Sequence, residues 1–213
     1  MRTQLIAFGL AAVLLCSCEK AAKPAPAPAA TAAVGAAGTK TVLWDGDKTG
    51  LQAKGWADCG KKDVCTVSLE ARPGVGRGQT SGLEYRVKGS DWMGFGWSWS
   101  GWTAPGTDLA PFSTLSFWVQ LEAAKMSAAH GLKVRLASAT TGPDGKNLQS
   151  DEVPLADFVK DLNDGLWHEV RIPIADLTRG KGFDAKAAWE LRISSWYLTA
   201  QEYTLHVDDI GLN

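Results

Sequence analysis

The sequence predicts an all-β domain built as a two-sheet antiparallel sandwich, and two observations support this fold class. Apolar and polar residues alternate with a period of two, as in "GLEYRV", where Leu83, Tyr85 and Val87 fall on one face. Such alternation is typical of strands with one buried side. Helical patterns are confined to short pieces such as "LADFVKDL". Many short strands with almost no helix favour two packed antiparallel sheets.

Six segments show this alternation, and turn sequences such as "TGPDGKN" separate them. In chain order they are "GLEYRV", "STLSFWVQL", "GLKVRLA", "WHEVRIPI", "ELRIS" and "YTLHVDDIGL". In the segments after "GLEYRV", we also expect one face to be buried in the core. Its residues are Leu115, Phe117, Val119, Leu121, Leu132, Val134, Leu136, Val170, Ile172, Leu191, Ile193, Leu205 and Val207.

The N-terminal residues 1–17 have the composition of an export signal. Arg2 precedes an apolar run that ends at Leu15, and the run is too short for a permanent membrane span. Its end, "LCSC", resembles the bacterial lipoprotein cleavage signal, with Cys18 as the acylated residue. The alternative is an alanine-rich core helix with incidental cysteines. We expect a lipoprotein anchored by palmitate and related acyl chains, and Glu19 after the lipid site favours the outer membrane, facing the periplasm or the cell surface.

Residues 18–40 alternate alanine with proline and lack large apolar side chains. Such a segment cannot bury a core and predicts an extended tether, which would reach about 60 Å if it is polyproline-like. The folded domain is therefore expected over residues 41–213.

Two cysteines remain for the exported domain, Cys59 and Cys65 in "DCGKKDVC". In an exported protein we expect them to form a disulfide, which closes a small ring. A metal site is the alternative, but no histidine or further cysteine stands nearby to complete four ligands.

Charge and motif content argue against several function classes. Lys plus Arg number 22 against 23 Asp plus Glu, and no basic run interleaves with aromatic residues, so nucleic acid is not an expected partner. The histidines His130, His168 and His206 are scattered, without a serine or cysteine nucleophile motif beside them. The chain is therefore predicted not to be an enzyme.

Four segments carry a family resemblance: "DWMGFGW", "DLAPFSTLSFWV", "GLWHEVRIPIADL" and "YTLHVDDIGL". In this order they resemble landmarks of the family eleven carbohydrate-binding modules, and of the related domain of complex I intermediate-associated proteins. The resemblance implies a galactose-binding-like β-jelly roll whose curved sheet forms a groove for a polysaccharide. It also implies which strands form the grooved sheet: "WMGFGWSWS", "GLKVRLA", "LQSDEV" and "ELRISSW", with the other four in the opposite sheet.

Within "WMGFGWSWS", strand parity decides which tryptophans are buried. Met93, Phe95, Trp97 and Trp99 share one face, whereas Trp92 and Trp102 fall on the other with glycines and serines. We favour the first set as core, because inward glycine and serine would leave voids. The groove floor would then be glycine and serine with Trp92 and Trp102 as walls. The opposite register would reverse this assignment.

The predicted ligand-binding residues are the six polar and aromatic residues that face the groove on this register. They are Trp92, Trp102, Arg135, Glu190, Arg192 and Trp196. An aromatic ring suits the C–H face of a pyranose, and its hydroxyls need fixed donors and acceptors. Trp92 matches the family's groove aromatic, usually tyrosine, and Arg192 matches a polar groove position. The alternatives are an edge cap for Trp92 and Trp102, solvated strand faces for the arginines, and packing under a loop for Trp196.

A structural calcium ion is a second implication of the resemblance. Asp45 follows the first strand and Asp208 lies on the last, where the family's calcium ligands stand, and calcium takes six to eight oxygen ligands. Turn capping is the alternative role.

The favoured function is a non-catalytic, lipid-anchored, monomeric protein that holds a polysaccharide, most simply a glucan-like chain. One alternative is an assembly or scaffold protein of the cell envelope that uses the same face for a protein partner. The other is a small glycan-cleaving enzyme with Glu152 and Glu190 as carboxylates.

Overall fold

The computed structural model describes residues 40–47, 52–103, 105–123, 131–180 and 182–213, and its regular structure is almost entirely strand. The strands of these residues are β1 (Thr41–Trp44), β2 (Lys54–Cys59), β3 (Cys65–Arg72), β4 (Gly82–Ser98), β5 (Thr114–Ala123), β6 (Lys133–Thr141), β7 (Asn147–Gln149), β8 (Val153–Pro154), β9 (His168–Pro173) and β10 (Ala188–Leu212). The short helices are 3₁₀ turns at Arg77–Gln79, Leu155–Asp157 and Leu162–Asp164, and α1 at Ile174–Leu177.

Two long strands, β4 and β10, connect the two layers of the sandwich. They pair antiparallel from Glu190 opposite Ser98 to Tyr197 opposite Asp91, and again from Gln201 opposite Gly89 onward. Between these stretches the register shifts, and Gly89 and Asp91 have φ angles of 129° and 84°. A bulge of this kind bends a strand and increases its twist. Each long strand therefore supplies one half to each sheet.

The strand pairings define the two sheets. The first sheet contains β2, the C-terminal half of β4, the N-terminal half of β10, and β6 with the short β7 and β8. The second contains β3, the N-terminal half of β4, the C-terminal half of β10, β5, β9 and β1. The eight predicted strands divide between the sheets as predicted, although β2 and β3 were not among them and the segment "LQSDEV" forms parts of two short strands, β7 and β8. The sequence suggested separate strands where β4 and β10 are each continuous, because both strands remain extended through the bend and pair on either side of it.

The core lies between the sheets and follows the predicted parity. Met93 and Phe95 are fully buried, and Trp97 and Trp99 are each 7% exposed. Trp97 packs edge-on against Trp44 with ring centroids 5.5 Å apart. The favoured register of the tryptophan-rich strand is thus confirmed, because large apolar side chains fill the inner face.

A disulfide joins Cys59 at the end of β2 to Cys65 at the start of β3, as predicted. Both cysteines are buried. The bridge closes the tight connection between two strands that pair with different halves of β4.

Removing this disulfide is expected to lower the free energy of unfolding by about 2.4 kcal/mol, because a ring of roughly seven residues restricts the unfolded chain. Urea denaturation of a Cys59→Ala/Cys65→Ala variant measures the loss. A reductant should lower the unfolding midpoint of the wild type and leave that of the variant unchanged. Equal midpoints for the two proteins would contradict the expectation.

The predicted signal peptide, the lipidated Cys18 and nearly all of the 18–40 tether lie outside the described residues, so these assignments stay predictions. Within the described residues, no helix combines the length and hydrophobicity needed to cross a membrane.

Candidate functional site

The outward face of the first sheet aligns its side chains in rows across four strands. One row runs from Trp56 on β2 through Gly96 on β4 and Arg192 on β10 to Arg135 on β6. The next row is Asp58, Gly94, Ser194 and Lys133. We name this outward surface the tryptophan face.

Glu190 lies at the centre of the tryptophan face and is only 1% exposed. Its Oε1 accepts hydrogen bonds from Trp56 Nε1 at 2.9 Å and from Arg192 Nε at 2.7 Å. Its Oε2 accepts one from Trp102 Nε1 at 2.7 Å. A carboxylate that is buried is stabilised by such charge-assisted bonds. Glu190 therefore fixes two indoles and a guanidinium in one arrangement.

Glycines beneath the rings permit this arrangement. A Cβ at Gly96 would lie 1.9 Å from Glu190 Oε1 and 2.3 Å from Trp56 Nε1, and a Cβ at Gly94 would lie 2.9 Å from Trp92 Cζ2. Any side chain at Gly96 would displace the central carboxylate. The small residues of β4 let the indoles lie close against the sheet.

The predicted open floor of glycine and serine is therefore wrong. Gly94, Gly96 and Ser98 are buried, because the side chains around them cover the strand. Trp92 lies over Gly94 and does not stand as a wall beside it.

The aromatic surface includes Trp56 and Trp92, whose rings are nearly parallel at 21° with centroids 6.4 Å apart. The Arg192 guanidinium carbon lies 5.5 Å from the centre of the Trp56 ring. Both tryptophans are half-buried. The face thus presents two aligned rings with a cation beside one of them.

The far side of the tryptophan face is polar. Arg135 donates to Gln149 Oε1 at 2.7 Å and forms an ion pair of 2.9 Å with Glu152. Lys133 also bonds Glu152 at 2.9 Å, and Ser194 donates to the same carboxylate at 3.3 Å. These fixed donors and acceptors lie on the strands next to the aromatic rings.

The six predicted binding residues all lie on or beside this one face. Trp196 pairs across from Trp92 and is 62% exposed, and Leu198, two residues further along β10, is 91% exposed. Packing of Trp196 under a loop is therefore wrong. Trp102 lies in the turn after β4 with a φ angle of 62° and contacts the face through Glu190. The structure brings the residues together, and their contact with a ligand stays a prediction.

Sequence reasoning missed Trp56. Its strand, "KGWADC", is short and has a single buried residue, so it lacks the alternation that identified the others. The sequence did offer one signal, because Trp56 stands only three residues before Cys59. The disulfide ties Cys59 to Cys65 on the neighbouring strand β3, and it therefore helps to hold β2, with Trp56, beside β4.

The predicted calcium ligands lie where the first and last strands meet, since Trp44 pairs with Ile210. Asp208 is 1% exposed, and its burial raises the pKa of the carboxyl group. Its oxygens accept hydrogen bonds from Arg77 N at 2.8 Å, Thr80 Oγ1 at 3.1 Å and Asp209 N at 2.8 Å.

Asp45 Oδ1 accepts a hydrogen bond from the backbone N–H of Asp47 at 3.2 Å. Across the described residues, no three His, Cys, Asp or Glu side chains gather at a point that could hold a metal ion. The contacts of Asp45 and Asp208 fit the capping of turns. Calcium binding by these two residues stays a prediction.

A two-layer antiparallel β-sandwich with an aromatic and polar face on one sheet defines a jelly-roll domain of the binding-module class. Residues 42–213 match the family model described as carbohydrate binding domain 30, and the chain belongs to this family. The family is non-catalytic, which confirms the prediction that the chain is not an enzyme. No curated protein matches the chain.

Solved structures support the same fold. The family 30 carbohydrate-binding module of the cellulosomal cellulase Cel9D-Cel44B of Clostridium thermocellum has a TM-score of 0.62 and 19% identity, covering 82% of this chain and 96% of that one. A family 11 module from Clostridium thermocellum in complex with a β-1,3-1,4-mixed-linked tetrasaccharide has a TM-score of 0.53 and 14% identity, covering 81% and 94%.

A β-1,2-glucanase from Parabacteroides distasonis has a TM-score of 0.54 and 21% identity over 81% of this chain but only 24% of the enzyme. The likeness is therefore to a small part of that enzyme. The predicted resemblance to carbohydrate-binding modules is confirmed, with family thirty as the family that matches and family eleven among the similar structures.

Proposed function

We propose that the protein holds a polysaccharide chain on the tryptophan face, with Trp56 and Trp92 as the platform for its sugar rings. One observation carries this proposal: the two indoles lie nearly parallel against the sheet, because Glu190 holds Trp56 by a hydrogen bond and Gly94 leaves room for the ring of Trp92. The C–H face of a pyranose packs on an aromatic ring, and a platform fixed beforehand costs little ordering on binding.

The polar side of the tryptophan face would form hydrogen bonds with the hydroxyl groups of the bound sugars. Arg192 beside Trp56, and Arg135 and Gln149 further along the row, offer donors and an acceptor in fixed positions. Glu190 is engaged by three donors of the protein, so its main role is to position Trp56, Trp102 and Arg192.

A neutral, glucan-like chain is the ligand class that the charges favour. Glu190 is paired with Arg192, and Glu152 is paired with Lys133 and Arg135. The acidic and basic groups of the face thus nearly compensate one another, and an acidic polysaccharide gains little attraction there. The mixed-linked tetrasaccharide bound by the family 11 module is a neutral glucan of this kind.

Lipidation of Cys18 would tether this domain to the outer membrane, where a monomer could capture glycan at the periplasmic or outer surface. The export signal and the alanine-proline tether of the sequence support this part of the proposal. Radioactive palmitate should label the wild type and not a Cys18→Ser variant. Equal labelling would exclude Cys18 as the acylated residue.

A protein partner is the second candidate, and the exposure of Trp196 and Leu198 favours it. Side chains of this size exposed to 62% and 91% on neighbouring outward positions are typical anchors of protein interfaces. In this function the domain would serve envelope assembly.

Isothermal titration of the full chain with cellohexaose, mixed-linkage β-glucan and polygalacturonate tests the proposal. We expect dissociation constants of roughly 10 µM to 1 mM for the two glucans and weaker binding of the acidic polymer. The Trp118→Ala variant should bind as the wild type does, because Trp118 lies on the second sheet under Arg77. Absence of heat with every neutral glucan would overturn carbohydrate binding on this face and favour the protein partner.

A further inference from the structure

The outward face of the second sheet carries a concavity that the tryptophan face does not use. It has a volume of about 460 Å³, within the range of pockets that hold small ligands. Glu84 of β4, His206 of β10 and Gln120 and Glu122 of β5 line it, together with Trp167 and the loop residues Gly74, Val75, Gly76, Gly78 and Gln79. A wider concavity of about 780 Å³ adjoins it through Glu122. We name the smaller concavity the His206 pocket.

His206 has a buried nitrogen that the protein leaves without a hydrogen bond. The residue is 7% exposed, and its Nδ1 lies 3.3 Å from Gln120 Oε1. Its Nε2 lies 3.6 Å from Glu84 Oε2, and no atom of the described residues forms a hydrogen bond with it. Buried polar atoms are nearly always paired, so His206 is an exception among the residues that line the pocket.

The groups around His206 are held in place by other contacts. Glu84 is 8% exposed and accepts hydrogen bonds or ion pairs from Arg72 at 2.6 Å and Arg86 at 2.9 Å. Burial opposes the charge of Glu84, but the two arginines hold the pKa of its carboxyl below the ordinary value. Gln120 Nε2 donates to the carbonyl of Gly165 at 2.6 Å. The pocket therefore offers polar atoms of fixed orientation.

An aromatic ring completes the pocket. Trp167 is half-buried, and its ring centroid lies 6.3 Å from that of His206 at an angle of 30°. An indole beside fixed carboxylate, amide and imidazole groups is the combination that recognises a pyranose, with its apolar C–H face and its ring of hydroxyls. We propose that the His206 pocket is a second carbohydrate site, which binds one neutral sugar unit on the sheet opposite the tryptophan face.

Other ligand classes fit the pocket less well. Two carboxylates line it, and the described lining residues include no lysine or arginine, which disfavours an anion. Apart from Trp167 the only large apolar residue in the lining is Val75, so the pocket lacks the anchor cluster that a protein partner needs. A neutral polyol matches both facts.

A site on each sheet would make the domain bivalent. Two weak sites on opposite layers raise the apparent affinity for insoluble or branched glycans, where both can be engaged at once, without raising the affinity for a short oligosaccharide. The second site stands on its own residues, so it does not depend on the tryptophan face being functional.

Nuclear magnetic resonance of the full chain with ¹⁵N-labelled indoles tests the second site. Spectra are followed while glucose, galactose, N-acetylglucosamine or cellohexaose is added to about 10 mM, and Trp167→Ala, Trp56→Ala and Trp92→Ala variants assign the three signals. We expect at least one sugar to shift the Trp167 indole signal in the wild type and equally in the Trp56→Ala variant. In a His206→Phe variant, the shift of the Trp167 signal at the same sugar concentration should be at least about threefold smaller.

The outcomes separate the two proposals. If the Trp56 and Trp92 signals move and the Trp167 signal stays fixed with all four sugars, the second site is overturned and the tryptophan face stands. If only the Trp167 signal moves, the proposal that the tryptophan face binds carbohydrate is overturned and the second site stands. The deciding observation is the shift of the Trp167 signal in the wild-type protein, and the variants serve to assign the signals and to test the part that His206 plays.

Discussion

Replacing Glu190 by alanine is expected to lower the free energy of unfolding by about 3 kcal/mol. The change removes the acceptor of three hydrogen bonds and leaves the indole N–H groups of Trp56 and Trp102 and the charge of Arg192 without their partner. Because Glu190 is 1% exposed, water cannot readily take its place. Urea denaturation followed by circular dichroism measures the loss.

A Glu190→Gln variant is the matched control for shape. It keeps one acceptor oxygen and loses the charge, so its free energy of unfolding should lie between that of the alanine variant and that of the wild type. Glycan affinity should fall in both variants, because the platform ring of Trp56 loses the group that fixes it. A Glu190→Ala protein within about 0.5 kcal/mol of the wild type would show that the carboxylate does not hold the face together.

Replacing Trp56 by alanine is expected to lower the affinity for a neutral glucan roughly 30-fold, equivalent to about 2 kcal/mol. Trp56 supplies one of the two nearly parallel rings and also the surface beside Arg192. A Trp92→Ala variant should lose affinity to a similar degree, and the double variant should lose detectable binding. Isothermal titration with cellohexaose measures each change.

The control for this experiment is Trp118→Ala, which removes an indole of equal size from the second sheet. The glucan affinity of this control should match that of the wild type. Its unfolding midpoint shows how much stability is lost when any tryptophan of this size is removed, and the midpoint of the Trp56→Ala variant is compared with it. Full affinity in the Trp56→Ala variant with a cooperative unfolding transition would remove Trp56 from the binding platform and leave Trp92 alone as the aromatic contact.

Much of the fold could be predicted from local pattern. The period-two segments became strands, and the choice of core face on β4 was correct because glycine and serine cannot fill the space that Met93, Phe95, Trp97 and Trp99 occupy. The partition of strands between sheets also held. The continuity of β4 and β10 could not be predicted, since the bend at Gly89 and Asp91 resembles a turn in the sequence.

The site could be predicted only in part. The outward positions of Arg192, Trp196 and Arg135 follow from parity once the strand is known, whereas Trp56 belongs to a short strand without alternation. The role of Glu190 was assigned to ligand contact, because a sequence cannot tell a solvated carboxylate from one that three side chains enclose.

The sequence by itself determined the class of fold, the pair of cysteines and the face of each strand, because all three depend on residues that are close along the chain. The tertiary structure decided which of those faces became a surface for recognition. Trp56, Gly96, Glu190 and Arg135 come from four strands far apart in sequence, and only cross-strand pairing places them on one face. The packing of the core sets the register between strands that are distant in sequence, and this register aligns the tryptophans on one face of the sheet.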